Sequence, residues 1–160
     1  MGNFYGNIFI MRGLIIKTKR FYSKDIERST WPKGIAKVRN FNKEGRDFKN
    51  VIAVLVCAEN GDTSAYVRQL VKRVLDLNSQ FYKLKQIVVV PFAHLSHNLA
   101  GPQIAKELID ELAALLRKEK FNVDVISFGT HKDLAFEIPG QVGEVSYFEF
   151  PYSGKKPNTN

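Results

Sequence analysis

The chain has 160 residues, of which 44% are hydrophobic and 25% charged, as is usual for one globular domain. No apolar run approaches the roughly 20 residues that span a membrane. The single cysteine excludes an intramolecular disulfide and favours a reducing compartment, which predicts the cytoplasm. The net charge of +8 lies entirely in residues 1–50, which hold twelve Lys and Arg against four Asp and Glu. Such a block is typical either of a nucleic-acid footprint or of a solvated basic surface, and charge alone does not separate the two.

The first half of the chain predicts strands separated by a basic, irregular stretch. Residues 14–16 form a short apolar run that predicts a first strand, and residues 35–41 predict a second. The Trp31-Pro32 pair between them marks a turn. Residues 51–57 are almost continuously apolar and predict a central strand. A helix follows, capped within residues 62–64, with its apolar face formed by Val67, Leu70, Val71 and Val74.

The next strand, Gln86–Pro91, organises the rest of the chain. Its apolar run is typical of a strand buried on both faces, and it should end at Pro91, which has no backbone N–H. His94 and Ser96 follow directly, where α/β proteins tend to carry their chemistry. A helix is then predicted over Pro102–Lys118, with an inward face of Ile104, Leu108, Leu112, Leu115 and Leu116.

Three strands are predicted after this helix, over residues 123–128, 134–138 and 144–150. The resulting order is two strands, two strand–helix units and three strands. This order indicates a single α/β domain.

The residues also raise the question of three other kinds of site: a zinc site, a cysteine nucleophile and a phosphate-binding loop. His94 and His97 are three residues apart, and His131 would be a third zinc ligand, but no carboxylate lies near them in sequence. Cys57 lies inside an apolar strand, which favours a core residue over a nucleophile. No glycine-rich phosphate loop is present. We therefore expect neither a metal nor another cofactor.

On sequence alone, Lys132 and Glu144 each have two interpretations. Lys132 follows a tight turn between two apolar strands, where a lysine is either a solvated edge residue or a functional group. Glu144 begins the last strand after Gly143 and is equally consistent with an exposed carboxylate.

Several of these segments resemble the N-terminal editing domain of archaeal threonyl-tRNA synthetases. Residues 91–96 read Pro-Phe-Ala-His-Leu-Ser, the family's signature at the end of a strand. Residues 121–123 (Phe-Asn-Val), 128–132 (Phe-Gly-Thr-His-Lys) and 143–146 (Gly-Glu-Val-Ser) are similar to three further family segments in order and spacing. The resemblance extends from about Val51 to Phe150.

The resemblance implies a D-aminoacyl-tRNA deacylase-like fold, β2-(βα)2-β3 in three β/β/α layers. It divides the chain into an N-terminal extension (1–10), an editing domain (11–152) and a flexible tail (153–160). The implied activity is hydrolysis of the seryl ester of mischarged Ser-tRNA(Thr), as part of threonyl-tRNA synthetase or in trans to it. The implied partners are the acceptor end of tRNA(Thr) carrying serine, the synthetase and a second copy of the chain, with no membrane.

Residue by residue, the resemblance implies three catalytic groups. Lys132 matches the family's key lysine, which would hold the attacking water or stabilise the developing oxyanion. His94 matches the signature histidine, and Glu144 matches a carboxylate that would position Lys132 or the substrate amine. The implied substrate-binding residues are Pro91, Phe92, Ala93, Ser96 and His131.

This chain departs from the family pattern at three positions. Lys17 and Lys19 stand where the first strand usually has a histidine and an aspartate, and His131 stands where a tyrosine is usual. The departures favour an alternative, a non-catalytic module that binds tRNA or a synthetase. The polar tail favours a freestanding protein over an excised domain, an expectation that detection of a longer polypeptide in the source cells would contradict.

Overall fold

Apolar, β-branched runs form the middle of a six-stranded sheet in the computed structural model, which describes residues 11–151. The strands are β1 (Met11–Arg28), β2 (Arg46–Cys57), β3 (Gln86–Pro91), β4 (Asn122–Val125), β5 (Thr130–Glu137) and β6 (Val145–Phe150). The helices are α1 (Ser64–Leu77) and α2 (Pro102–Lys118), and a π-helical turn, Asn78–Tyr82, follows α1. The predicted extension (1–10) and tail (153–160) lie outside the described residues.

The sheet combines a parallel centre with an antiparallel border. Its order is β4-β3-β2-β1-β5, with β6 also paired to β1. Strands β2, β3 and β4 are parallel, which requires a crossover between successive strands, and α1 and α2 supply the two crossovers. The 18-residue β1 pairs with β2 along one edge. Along its other edge β1 pairs first with β6 and then with β5.

The parallel strands are buried on both faces, so the core has two parts. Alternate residues of β2 and β3, including Ile52, Val54 and Val89, pack against the two helices. The intervening residues, including Ala53 and Val88, belong to a second apolar cluster on the opposite face. The α/β architecture predicted above is confirmed.

The second cluster is closed by the far end of the β1–β2 hairpin. In β2 the side-chain alternation changes phase at Asn50, whose φ is 53°, so that Phe48 joins the same cluster as Val51. Opposite it, Phe21 is fully buried and lies 6.0 Å from the Phe48 ring and 5.1 Å from the Phe136 ring. The far end of the hairpin and β5 therefore supply a β layer over the inner sheet.

The strand predicted at residues 35–41 is wrong. Gly34 has a left-handed backbone (φ 92°), and Ile35–Lys37 forms one 3-10 turn closed by the Val38 N–H donating to the Ile35 C=O at 3.1 Å. Ile35 is buried as a single anchor, and no alternating pattern follows it. One strand therefore precedes the first strand–helix unit in the described chain, where two were expected. That strand is much longer than the predicted 14–16.

The predicted bounds of α2 and the inner face of α1 are confirmed. The predicted inner face of α2 is only partly right, because Ile104 is 51% exposed and Ala105, Ile109 and Ala113 are buried. Steps of four residues drift about 40° around a helix of 3.6 residues per turn, so Ile104 lies well away from Leu116. Neither helix in the described chain is long and apolar enough to cross a membrane.

Gly13 provides a test of the β1–β2 packing. A Cβ at this position would overlap the Leu55 carbonyl oxygen and approach the Phe148 ring to 2.6 Å. Gly13→Ala should therefore lower the free energy of unfolding by more than about 2 kcal/mol in urea denaturation. Gly140→Ala is the matched control, because a Cβ there meets nothing within 4 Å. Equal stabilities for the two variants would contradict the packing described.

Candidate active site

A cavity of about 230 Å³ opens beyond the carboxyl end of β3. Its walls come from the segment after β1 (residues 29–35), the end of β3 and its 3-10 turn (91–94), the start of α2, and the turn into β5 (128–132). Ligand sites of open α/β sheets lie at this edge, because the connections there leave a crevice between strand ends and helices.

The loop after β3 is fixed to the end of β2 by backbone hydrogen bonds. The Phe92 N–H donates to the Val56 C=O at 2.9 Å, and the Ala100 N–H donates to the Ala58 C=O at 3.0 Å. The Asn60 N–H also donates to the Asn98 C=O at 3.0 Å. This loop carries the predicted signature, and its anchoring holds residues 91–94 against the cavity.

Lys132 lies in β5 and lines the cavity. Its Nζ donates to Thr130 Oγ1 at 2.6 Å and to the Thr130 C=O at 3.2 Å. Burial lowers the pKa of Lys132, and the nearby charge of Asp25 opposes that shift. An ammonium has three protons, so one remains beyond the two that Thr130 accepts.

Asp25 is the carboxylate of this site. It is buried in β1 directly opposite Lys132, and its Oδ1 accepts the Thr130 hydroxyl at 3.0 Å. Its Oδ2 accepts the Asn42 N–H at 2.8 Å. Asp25, Thr130 and Lys132 thus form one chain of hydrogen bonds that holds the ammonium at the cavity wall.

His94 lies on the 3-10 turn Ala93–Leu95 and lines the same cavity as Lys132. Its ring is exposed and meets the Phe92 ring edge-on, with the centroids 5.0 Å apart. The predicted pair of Lys132 and His94 therefore shares one cavity.

The structure sorts the other predicted substrate-binding residues into two groups. Pro91, Phe92, Ala93 and His131 line the cavity. Ser96 is not among the lining residues, and its Oγ accepts the Asn98 N–H at 3.0 Å. Ser96 therefore shapes the loop.

The expectation that Glu144 meets Lys132 and His94 in one cavity is not fulfilled. Glu144 is buried, and its C=O accepts the Lys17 N–H at 2.8 Å. Lys17 pairs with Ile52, whereas Ala58, beyond the other end of β2, lines the cavity. The six residue steps from Ile52 to Ala58 place Glu144 about 20 Å along the sheet from the cavity, at about 3.3 Å per residue.

The alternative sites receive no support from the described part of the chain. Within residues 11–151, no three His, Cys, Asp or Glu side chains are grouped as a metal site. Cys57 is buried, and burial raises the pKa of its thiol, which disfavours the thiolate that a nucleophile needs. Cys57 is a core residue, as predicted.

Sequence reasoning missed Asp25, Thr130 and Trp31. Asp25 lies 105 residues from Thr130, and no local pattern signals a contact over that distance. The sequence indicates only a turn at Trp31, although aromatic residues are enriched at binding surfaces and this one lies in a basic stretch.

Comparison with known proteins places the chain in a family. The model of the archaea-specific editing domain of threonyl-tRNA synthetase matches residues 11–146. The chain belongs to this editing-domain family. The resemblance inferred from residues 91–96 and 128–132 is thereby confirmed, and the family's role is aminoacyl-tRNA editing in translation.

Relatives of this editing domain occur in archaeal proteins of different lengths. The threonine–tRNA ligase of Staphylothermus marinus is 34% identical over 131 residues, which is 81% of this chain and 21% of the ligase. The threonine–tRNA ligase editing subunit of Saccharolobus solfataricus is 35% identical over 92 residues, 58% of this chain and 23% of that protein. The chain spans about a fifth of the length of the curated relatives it matches.

A solved structure shares the fold of this editing domain. The c-Myc DNA Unwinding Element Binding Protein superimposes with a TM-score of 0.67 over 88% of this chain and 99% of its own, at 14% identity. This likeness shows the fold alone.

Thr130→Val tests the network behind Lys132. Valine keeps the shape of threonine but removes the hydroxyl that bridges Lys132 and buried Asp25. We expect the free energy of unfolding to fall by about 1–3 kcal/mol, because Asp25 Oδ1 loses its donor. Thr63→Val is the matched control, since the exposed Thr63 makes no side-chain capping bond to α1. If the two variants unfold at the same urea concentration, the network does not stabilise the fold.

Proposed function

We propose that this cavity hydrolyses the ester of Ser-tRNA(Thr), removing serine that has been attached in place of threonine. The observation that carries the proposal is the half-buried Lys132, which lines the cavity beside His94 in a chain of the editing-domain family. The site needs no cofactor in this proposal, because water and the side chains described suffice for ester hydrolysis.

The reaction requires water to attack the ester carbonyl carbon. The water loses one proton as it attacks, and the carbonyl oxygen becomes an oxyanion. Collapse of this intermediate expels the ribose oxygen, which takes up that proton and leaves as a hydroxyl, and the carboxylic acid formed releases its remaining proton to solvent. The third N–H of the Lys132 ammonium would form a hydrogen bond to the oxyanion, or to the oxygen of the water and hold it in place, without losing its proton. A preorganised donor of this kind in a water-excluding site accelerates acyl transfer by about 10²–10³-fold.

The other lining residues have supporting roles in this proposal. His94 and Phe92 form one wall, where they would contact the terminal adenosine and the water. The backbone around Pro91 and Ala93 would cradle the seryl group, and His131 lies at the exposed side.

Asp25 takes the positioning role that the resemblance gave to Glu144. Through Thr130, the buried Asp25 carboxylate holds the Lys132 ammonium and favours its charged form. Glu144 lies at the other end of the strands and has no part in the proposed mechanism.

The departures in the first strand do not touch the cavity. Lys17 and Lys19 are both absent from its lining. Two of the three departures therefore lie outside the site, which supports the enzyme over a non-catalytic module, and the third, His131, lines the cavity.

Serine is the substrate that most needs such a site. Serine lacks one methyl group of threonine, and one methyl in a pocket supplies only about 1–3 kcal/mol of discrimination. A second site that accepts the smaller product removes the error. We place this activity in the cytoplasm, on tRNA(Thr) charged by threonyl-tRNA synthetase, and a homodimer stays a prediction.

Lys132→Ala is the direct test of the proposed activity. Wild type should hydrolyse Ser-tRNA(Thr) much faster than Thr-tRNA(Thr) in single-turnover assays, and the variant should lose at least about 100-fold in rate, because it lacks the oxyanion donor. Lys106→Ala, a half-buried lysine on α2 outside the cavity, is the matched control. Turnover by the folded Lys132→Ala variant at the wild-type rate would refute the mechanism. No hydrolysis by wild type, with tRNA still bound, would indicate the non-catalytic module.

Salt dependence tests whether the basic first third contacts RNA. Four phosphate contacts would give a slope of about −3 to −4 in log affinity against log salt. Replacing the exposed Lys33 and Lys37 by glutamine should reduce that slope by about 1–2. The same change at exposed Lys118 and Lys120, at the end of α2, should leave it unaltered. A flat slope for wild type would mean that the basic segment has another role.

A further inference from the structure

The chain has a single tryptophan, Trp31, and its side chain is 68% exposed at the rim of the cavity. A large aromatic side chain left in water is unfavourable, since burying it would remove more apolar surface than for almost any other residue. No element of the described chain covers the indole, so its exposure indicates a binding role.

The segment that carries Trp31 is held firmly. The Ser29 N–H donates to the Gly129 C=O at 2.9 Å, and the Ser29 hydroxyl donates to the Trp31 C=O at 2.6 Å. Arg39 Nη1 donates to the Ser29 C=O at 2.6 Å. Gly129 directly precedes the Thr130-to-Lys132 segment, so the backbone that presents Trp31 is tied to the turn that presents the ammonium.

The surroundings of Trp31 in the chain are strongly basic. Residues 28–43 contain five Lys and Arg and no Asp or Glu. Lys33 and Lys37 are exposed on either side of buried Ile35, which lines the same cavity. An aromatic platform beside cations is the arrangement that binds single-stranded nucleic acid, because bases stack on the ring while cations contact phosphates.

We propose that the Trp31 indole is a stacking platform for an unpaired base at the single-stranded 3′ end of the RNA, next to the aminoacylated nucleotide in the cavity. Lys33 and Lys37 contact the phosphates that follow. This inference rests on the proposed function for the position of the aminoacyl end, but the binding it describes is measurable without hydrolysis. A second copy of the chain is the other occupant that an exposed tryptophan would suit, and the local positive charge disfavours it, because two copies would bring like charges together.

The probe is a short single-stranded RNA ending in CCA, without an amino acid, titrated into the full chain. Because Trp31 is the sole tryptophan, its intrinsic fluorescence reports stacking directly. We expect saturable quenching, together with about 5- to 150-fold weaker binding for Trp31→Ala, measured by anisotropy of labelled RNA. Trp31→Phe should lose less. Tyr147→Ala is the matched control, an aromatic residue that is 50% exposed but absent from the cavity lining.

Two results would overturn the inference. One is RNA binding with unchanged fluorescence and equal affinity for Trp31→Ala. The other is a change in sedimentation from dimer to monomer for Trp31→Ala with RNA affinity unaltered, which would assign the indole to self-association.

Deacylation separates this inference from the proposed function. If both hold, Trp31→Ala raises KM for Ser-tRNA(Thr) and leaves kcat within a few-fold of wild type. Quenching by RNA without any hydrolysis by wild type would support the stacking platform and refute the proposed function. Hydrolysis by wild type with an unchanged KM for Trp31→Ala would support the proposed function and refute the stacking platform.

Discussion

The structure depends on one long antiparallel ladder between β1 and β2. One part of this ladder borders the parallel strands, and on the other side of Asn50 its side chains change phase, so that Phe21 and Phe48 belong to the second core. This change of phase lets the far end of β1 pack on the second apolar cluster, on the face of the sheet away from the helices. Because of this, the segment after β1 and the turn into β5 reach the end of β3. Without that long hairpin, Lys132 and His94 would have no common cavity.

The chemistry of the site follows from burying a lysine next to a buried acid. Burial lowers the pKa of Lys132, and the charge of Asp25 opposes that shift. The ammonium lies near this carboxylate, but Thr130 bridges the two groups in place of a direct ion pair. Thr130 accepts from Lys132 and donates to Asp25, which leaves donor capacity at the ammonium for a substrate. A direct ion pair would have used that capacity, and a fully solvated lysine would have lost its orientation.

How much the sequence predicts differs between elements for physical reasons. The apolar runs of β2 and β3 and the three-to-four spacing in α1 specify local structure directly. The two strands and the inner face of α1 predicted from them are confirmed. The strand predicted over residues 35–41 is wrong because Ile35 is an isolated buried anchor after a left-handed glycine. A few apolar residues close together in sequence resemble a strand even when only one of them is buried. The sequence does not predict the role of Asp25, because the groups that donate hydrogen bonds to its carboxylate, on Thr130 and Asn42, are distant in sequence. Glu144 lies apart from the cavity in this chain, and a family motif carries no information on which end of the sheet the residue occupies.

The proposed reaction requires the ester of the aminoacyl-tRNA to bind in the cavity between β3 and β5. A crystal structure with seryl-adenosine, in which a stable amide replaces the ester, tests this position. We expect the seryl carbonyl oxygen within about 2.6–3.2 Å of Lys132 Nζ, with the adenosine against Phe92 and His94. An analogue bound outside this cavity, or bound in it with Lys132 still turned wholly to Thr130, would refute the proposed reaction.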